Sequence, residues 1–223
     1  SPTTAWPTAS PRPLSFGHAA WAYGEQAKGQ VMGFNGEAAA CARLSTVYVY
    51  AGSMEWYDEP TGPQTYFPAA NRQSVSAYAA LPHVTAVIAV IDGNMNLWSE
   101  SEQYHPDLTR RSDAELVQWA DVTAQAVCSH PDVSGVQIDL EPARDPYTQK
   151  LLVLLGSLST KLRSTTHSCV DSTHPDGRSL AMFGAASAAT PAMWTALGPA
   201  GYFVVSGYDL VNVAPVPFAA SPV

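Results

Sequence analysis

The pattern of apolar and polar positions divides most of the chain into two kinds of segment, which alternate along the sequence. Short runs of apolar, β-branched and aromatic residues predict six strands, at residues 18–23, 44–51, 84–91, 133–140, 180–185 and 202–208. Apolar residues at helical spacing predict the intervening helices, at residues 25–43, 74–81, 147–163 and 191–197, with a further helix that opens at Ser112. This repeated alternation predicts a parallel sheet whose strands are joined by right-handed helical crossovers.

Local sequence signals support two of these helices and one strand. Ser112 and Glu115 have the spacing of a capping box, which satisfies free amide groups at the start of a helix. Residues 84–91 are apolar almost throughout, as expected for a parallel strand that is buried on both faces. The helix at residues 147–163 has a single apolar stripe, formed by Leu151, Leu154, Leu155, Leu158 and Leu162.

Two α/β architectures fit this pattern, an open doubly wound sheet and a (β/α)8 TIM-type barrel. No G-x-G-x-x-G motif follows the first strand, as a dinucleotide-binding sheet would require. The barrel is favoured because two long aromatic and acidic loops, residues 52–69 and 92–111, follow the second and third strands, and such loops build the active face of a barrel. A complete barrel has about eight units in about 250 residues. With six units visible, we expect an incomplete or unusually closed barrel.

The ends of the chain differ in composition from its centre. Residues 1–17 are rich in Pro, Ser and Thr and contain few residues that form a core, so we assign them to an extended arm or a linker remnant. We assign residues 18–223 to a single (β/α)-barrel domain that carries the active site.

The charge balance argues against two classes of partner. The formal net charge of −8 disfavours binding to nucleic acid and to anionic membrane surfaces. No apolar run reaches the roughly 18 residues of a membrane span. Charged residues make up only 13% of the chain, so uncharged polar residues cover the surface, a composition that we associate with secreted proteins. We expect a monomer that is secreted or extracytoplasmic, with its signal peptide removed.

The cysteine and histidine spacings argue against a metal site. The three cysteines, Cys41, Cys128 and Cys169, include no C-x-x-C pair, and the six histidines have no ligand spacing. We therefore expect neither a metal nor another cofactor. The cysteines are either three buried thiols or one disulfide and a free thiol. A disulfide would join Cys128 to Cys169, because both lie near the ends of neighbouring predicted helices.

The fourth predicted strand and the residues that follow it carry the most informative chemistry. In the segment Ser-Gly-Val-Gln-Ile-Asp-Leu-Glu-Pro, residues 134–142, alternation gives one apolar face and one face with Gln137, Asp139 and Glu141. The two carboxyl groups are expected to lie about 6–7 Å apart along the strand. Two like charges at that distance raise one carboxyl pKa, as a general acid near neutral pH requires. The alternative is a pair of solvated carboxylates at the end of a strand.

This segment resembles the fourth-strand motif of glycoside hydrolase family 18, the chitinase-like (β/α)8 enzymes. The family motif is D-x-x-D-x-D-x-E. Asp139 and Glu141 match its last two acidic positions, whereas Ser134 and Gln137 stand at the first two. Two weaker similarities lie elsewhere. Residues 206–209 read Ser-Gly-Tyr-Asp where the family has M-x-Y-D on its sixth strand, and residues 91–93 partly match the S-x-G-G of its third strand.

The resemblance implies a retaining, substrate-assisted glycosidase that cleaves β-linked N-acetylhexosamine glycans such as chitin or peptidoglycan-like polymers. Glu141 would be the general acid, and Asp139 would orient the attacking acetamido group of the substrate. Tyr208 would hydrogen-bond the acetamido carbonyl, and Asp209 would contact the sugar. Gln137 can hydrogen-bond Asp139 but cannot share a proton with it, which puts the pH optimum in question.

Further candidates for substrate binding lie on the two long loops. Trp56, Tyr57 and Trp98 are expected to stack on sugar rings, with Tyr66 and Tyr104 as weaker candidates, unless these aromatics pack within the loops. Asp92 is a candidate for an additional carboxylate, as are Glu55, Asp58 and Glu59. Trp21 and Trp119 are expected in the core.

Two other functions fit the same residues. A non-catalytic glycan-binding barrel would explain Ser134, Gln137 and the short C-terminal part. A glycosidase of different specificity would use two protein carboxylates, such as Glu141 with Glu55 or Asp209.

Overall fold

The structure is a computed structural model that describes residues 18–22, 44–57, 62–94, 108, 111–141 and 147–205. The strands in this part of the chain are β1 (His18–Ala22), β2 (Leu44–Tyr57), β3 (Gly62–Tyr66), β4 (Ala86–Asn94), β5 (Gly135–Glu141), β6 (Ser179–Gly184) and β7 (Gly201–Val205). The α-helices are α1 (Ala69–Ala79), α2 (Asp113–Cys128), α3 (Tyr147–Lys161) and α4 (Pro191–Leu197), and two short 3-10 turns span Thr166–Ser168 and Ala186–Ala188.

The six parallel strands lie side by side in the order β1-β2-β4-β5-β6-β7, and β3 pairs antiparallel with β2. Each parallel strand therefore lies next to the parallel strand that precedes it in the chain. A doubly wound sheet reverses its strand order at a switch point, and this sheet has no such reversal among the described strands. The predicted α/β class is confirmed, and the parallel sheet is singly wound.

The sheet curls into a half-barrel. The Tyr48 hydroxyl on β2 lies 3.3 Å from the Tyr202 hydroxyl on β7, although β4, β5 and β6 separate the two strands. In a flat sheet these strands would be about 19 Å apart, because neighbouring strands are spaced about 4.8 Å. We call the face on which these two tyrosines meet the concave face, and the face that packs on the helices the convex face.

Alternation along the strands sorts side chains between the two faces. On β5, Val136, Ile138 and Leu140 are fully buried in the convex core, as the sequence predicts. The concave face has a smaller apolar cluster that consists of strand residues, namely Tyr48, Ile88 and Val90 with Tyr202 and Val204 packed against them. Gln137 lies between two residues of the convex core along β5 and is therefore on the concave face.

The helices cover the convex face with the residues that periodicity indicates. The capping box of α2 is present: the Ser112 side chain accepts from the Glu115 amide, and the Glu115 carboxylate accepts from the Ser112 amide at 2.6 Å. The predicted leucine stripe of α3 is fully buried. Trp119 is also in the core, as predicted, and its indole N–H donates to the Gln64 carbonyl oxygen on β3.

The prediction of a loop over residues 52–69 is wrong. β2 continues to Tyr57 and turns back as β3, so this region is largely a hairpin. The register of β2 against β4 shifts between Tyr50 and Gly52. At Gly52 a Cβ atom would lie 1.8 Å from the Tyr66 carbonyl oxygen, so the hairpin closes only because this residue has no side chain. The predicted arm, residues 1–17, and the helix at residues 25–43 lie outside the described residues.

A disulfide joins Cys128 at the end of α2 to Cys169 in the segment between α3 and β6, with 4.9 Å between the Cα atoms. The pairing predicted for a disulfide is confirmed, and three free thiols are excluded. Cys41 lies outside the described residues. Among the helices described, none has both the length and the apolar character needed to cross a bilayer.

Candidate functional site

The carboxyl ends of β4 and β5 bring polar residues side by side. In the register of these two strands, Asp92 is opposite Asp139 and Asn94 is opposite Glu141. Paired positions on neighbouring strands are about 4.8 Å apart. The sequence predicts Asp92 in a loop, whereas the structure places it on β4. Its position opposite Asp139 is known only from the pairing of the two strands.

Asp92 and Asp139 lie on the concave face. Asp92 is two residues beyond Val90, which belongs to the concave cluster, and Asp139 is two residues beyond Gln137. Both aspartates are half-buried and each has an interaction partner. Two carboxylates in register at the end of a parallel sheet form an acidic edge, and active sites of barrels lie at this end of the strands.

Gln137 lies below this acidic edge and is fully buried. Neither its side-chain oxygen nor its side-chain nitrogen has a hydrogen-bond partner among the described residues. The predicted hydrogen bond from Gln137 to Asp139 is therefore absent here. In the register, Gln137 lies between Val90 and Ala181, whose apolar side chains offer nothing to pair with an amide. A buried amide without partners lowers the free energy of unfolding by about 1–3 kcal/mol. A glutamine at this position is therefore unfavourable for stability alone.

Two tyrosines meet on the concave face near Gln137: Tyr202 pairs with Ala181, the partner of Gln137, and Tyr48 lies two residues earlier in the register. Burial raises the pKa of Tyr48 above its ordinary value, although its hydrogen bond to Tyr202 acts in the opposite direction. Burial also raises the pKa of the Tyr202 phenol, and the adjacent Tyr48 adds to the effect. Both phenols therefore stay neutral through the physiological range and form a floor without charge under the acidic edge.

Trp21 stands on the concave face and is 41% exposed. Its ring stacks on Tyr48, with 4.8 Å between centroids, and meets Phe183 edge-on at 6.0 Å. The prediction that Trp21 lies in the core is wrong. Its strand is the first of the half-barrel and pairs only with β2 among the described strands, so no further described strand covers the ring from that side.

The remaining predicted site residues are divided between the end of β2, the end of β5 and the undescribed part of the chain. Glu141 is the last residue of β5. Trp56 and Tyr57 end β2 and pair with Pro63 and Gly62 in the hairpin. Tyr66 is on β3 rather than in a loop and is exposed. Further predicted residues lie outside the described ones, namely Asp58, Glu59, Trp98, Tyr104, Tyr208 and Asp209.

The described part of the chain contains no cluster of three or more His, Cys, Asp or Glu side chains that would hold a metal ion. The carboxyl groups of this edge can exchange protons and stabilise positive charge. A scan against protein-family models finds none that matches the chain, and a search of curated proteins finds no match either.

Proposed function

We propose that the chain is a glycoside hydrolase of the family-18 type, with a TIM-barrel-type catalytic domain of which the half-barrel is a part. The observation that carries this proposal is the pair of in-register aspartates, Asp92 and Asp139, at the carboxyl edge of the sheet. Glu141 ends the same strand as Asp139, at the position of the catalytic acid in the motif that this segment resembles.

In the proposed reaction Glu141 protonates the glycosidic oxygen of a β-linked N-acetylhexosamine glycan. The acetamido oxygen of the substrate attacks the anomeric carbon, and Asp139 stabilises the positive charge on the resulting ring. Water then opens this ring, with Glu141 accepting the proton, and the product retains its configuration. Tyr208 is proposed to hydrogen-bond the acetamido carbonyl and Asp209 to contact the sugar, with Trp56, Tyr57 and Trp98 stacking against further sugars. We also propose that the protein is a secreted monomer. The disulfide supports secretion, since such bonds persist in oxidising compartments.

The test is product analysis by mass spectrometry after incubation with N-acetylglucosamine oligomers. The wild-type protein should release shorter oligomers, and Glu141→Gln should lower turnover by about 10²- to 10⁴-fold, the usual contribution of a general acid. Asp176→Asn is the matched control, because Asp176 is an exposed carboxylate just before β6, at the opposite end of the strands. Equal turnover by Glu141→Gln and the wild type would remove Glu141 from this role.

A glycan-binding protein without activity is the second candidate. It is favoured by Gln137, a buried amide at a position where the family motif has a titratable aspartate. It is also favoured by Ser134, whose hydroxyl accepts a hydrogen bond from the Val87 amide at the far end of β5 and so has a structural role. Binding of N-acetylglucosamine oligomers by a folded protein that forms no product over long incubation would select this candidate.

A further inference from the structure

Trp21 is an exposed aromatic residue with an unusually rigid setting. One face of its ring lies on Tyr48, with an angle of 25° between the two planes. Tyr48 in turn is only 8% exposed and is held by its hydrogen bond to Tyr202. Phe183 restrains the edge of the indole. Because one face is covered by Tyr48, the exposed part of the ring lies on the opposite side.

Trp21 and the acidic edge lie on the same concave face, since Trp21 stacks on Tyr48 of the concave cluster. Gln137 and Ala181 are partners in the register of β5 and β6, and Asp139 and Phe183 each lie two residues further along these strands. The paired part of the two strands ends at Ile138 and Met182, so Asp139 and Phe183 each directly follow a paired residue. Phe183 also contacts Trp21. Phe183 therefore connects the indole of Trp21 to the end of β6 that adjoins the acidic edge.

We propose that Trp21 is a substrate-binding residue that stacks its free face on the apolar C–H face of a pyranose ring held at the acidic edge. This inference rests on the proposed action on sugars and adds a contact that the sequence motifs do not indicate. Binding sites combine aromatic walls with a few polar groups, and here the wall is fixed before the ligand arrives. A preorganised ring loses little entropy on binding, so its contact contributes fully to affinity.

The test is a binding titration by calorimetry in the Glu141→Gln background, with chitotetraose and with cellotetraose, which lacks acetamido groups. Trp21→Ala should weaken binding about three- to ten-fold, as expected for loss of one aromatic contact, and Trp21→Phe should weaken it less. Trp194→Phe is the matched control, because Trp194 is 47% exposed but lies on α4, on the convex side. The change in tryptophan emission on addition of sugar should be smaller in Trp21→Phe than in the wild type and Trp194→Phe, with the remainder coming from the other tryptophans that are proposed to stack on sugars, Trp56 and Trp98.

The outcomes separate this inference from the proposed function. Unchanged affinity in folded Trp21→Ala and Trp21→Phe, while Glu141→Gln alone binds chitotetraose, would overturn the role of Trp21 only. Binding of cellotetraose but not chitotetraose, with loss in Trp21→Ala, would support Trp21 and overturn the preference for N-acetylhexosamine. Absence of binding to either sugar would overturn both.

Discussion

The hydroxyl groups of Tyr48 and Tyr202 are 3.3 Å apart across the concave face, although their strands are the second and the last of the six parallel strands. This contact measures how strongly the sheet curls, because only a curved sheet brings these strands so close. The two tyrosines form the floor of the concave face, and Asp92 and Asp139 lie at its rim.

Alkaline pH should destabilise the protein through these two tyrosines. Their raised pKa values mean that the folded state keeps both phenols protonated above pH 10, where tyrosines of the unfolded chain lose their protons. The unfolded state then binds fewer protons, so the free energy of unfolding falls as pH rises above about 10. Urea denaturation at pH 8 and pH 11 measures this loss.

Tyr202→Phe should reduce the alkaline loss of stability and, at pH 8, cost about 1 kcal/mol for the missing hydrogen bond from Tyr48. Tyr66→Phe is the control, since Tyr66 is exposed on β3 and its replacement should change stability little. An identical pH dependence in Tyr202→Phe and the wild type would contradict the assignment of this effect to Tyr202.

Gln137→Met should stabilise the protein. The substitution preserves the length of the side chain and removes a buried amide whose two polar atoms have no partner, so we expect a gain of about 1–2 kcal/mol in the free energy of unfolding. Gln125→Met, at an exposed position of α2, should change stability by less than about 0.5 kcal/mol. The measurement is urea denaturation without sugar. A less stable Gln137→Met protein would mean that the amide is paired in solution.

The hairpin formed by β2 and β3 should depend on Gly52. Gly52→Ala places a Cβ atom 1.8 Å from the Tyr66 carbonyl oxygen, which is backbone and cannot rotate away. We expect a loss of about 2 kcal/mol or more. In Gly156→Ala the new Cβ meets nothing within 4 Å apart from its chain neighbours and the nearby backbone of its own helix, and alanine should stabilise the interior of α3 by about 0.5–1 kcal/mol. Equal stabilities for the two variants in urea would contradict the close approach at Gly52.

Mild acid should weaken the segment before β6. Burial and the charge of Arg178 lower the pKa of His174, so the folded state holds this imidazole neutral. Histidines of the unfolded chain take up a proton near pH 6.5. The unfolded state then binds more protons, so the contribution of His174 is complete above this pH and is lost as pH falls toward its lower folded pKa.

A comparison of the wild type with His174→Gln between pH 7.5 and pH 5 tests this effect, and the variant should lose less stability over the interval. Asp171, which accepts from the His174 amide and from the buried Arg178 guanidinium, also has a lowered pKa. Its contribution is lost only as pH falls below the ordinary aspartate range, near pH 4. A steeper pH dependence in His174→Gln would show that the sign assigned to His174 is wrong.

The parts of the fold that were predicted from the sequence are those that depend on local periodicity. The leucine stripe of α3 and the alternating face of β5 each follow from residues within one element. The hairpin was not predicted because a glycine within a strand resembles a loop until its partner strand is known. Exposure of Trp21 was not predicted because it depends on curling of the sheet and on the position of β1 at its edge.

The features of the candidate site that the sequence predicts are likewise those that lie within one strand. The sequence predicts that Gln137, Asp139 and Glu141 share one face of a strand, since alternation within β5 is enough for that inference. The position of Asp92 opposite Asp139 depends on the register between β4 and β5. Neither strand's own sequence determines that register. Whether Gln137 reaches Asp139 depends on side-chain geometry, and here its amide is unpaired.

The disulfide closes a covalent ring of the chain around the proposed catalytic strand. The 41-residue separation between Cys128 and Cys169 encloses all of β5 and α3 in one ring of the chain. A protease that cuts once within this ring leaves the two fragments joined by the disulfide, and the nicked protein migrates as one species on a gel until a reductant is added. The strand that ends in Glu141 thus remains tethered to its neighbours even after the backbone beside it is broken.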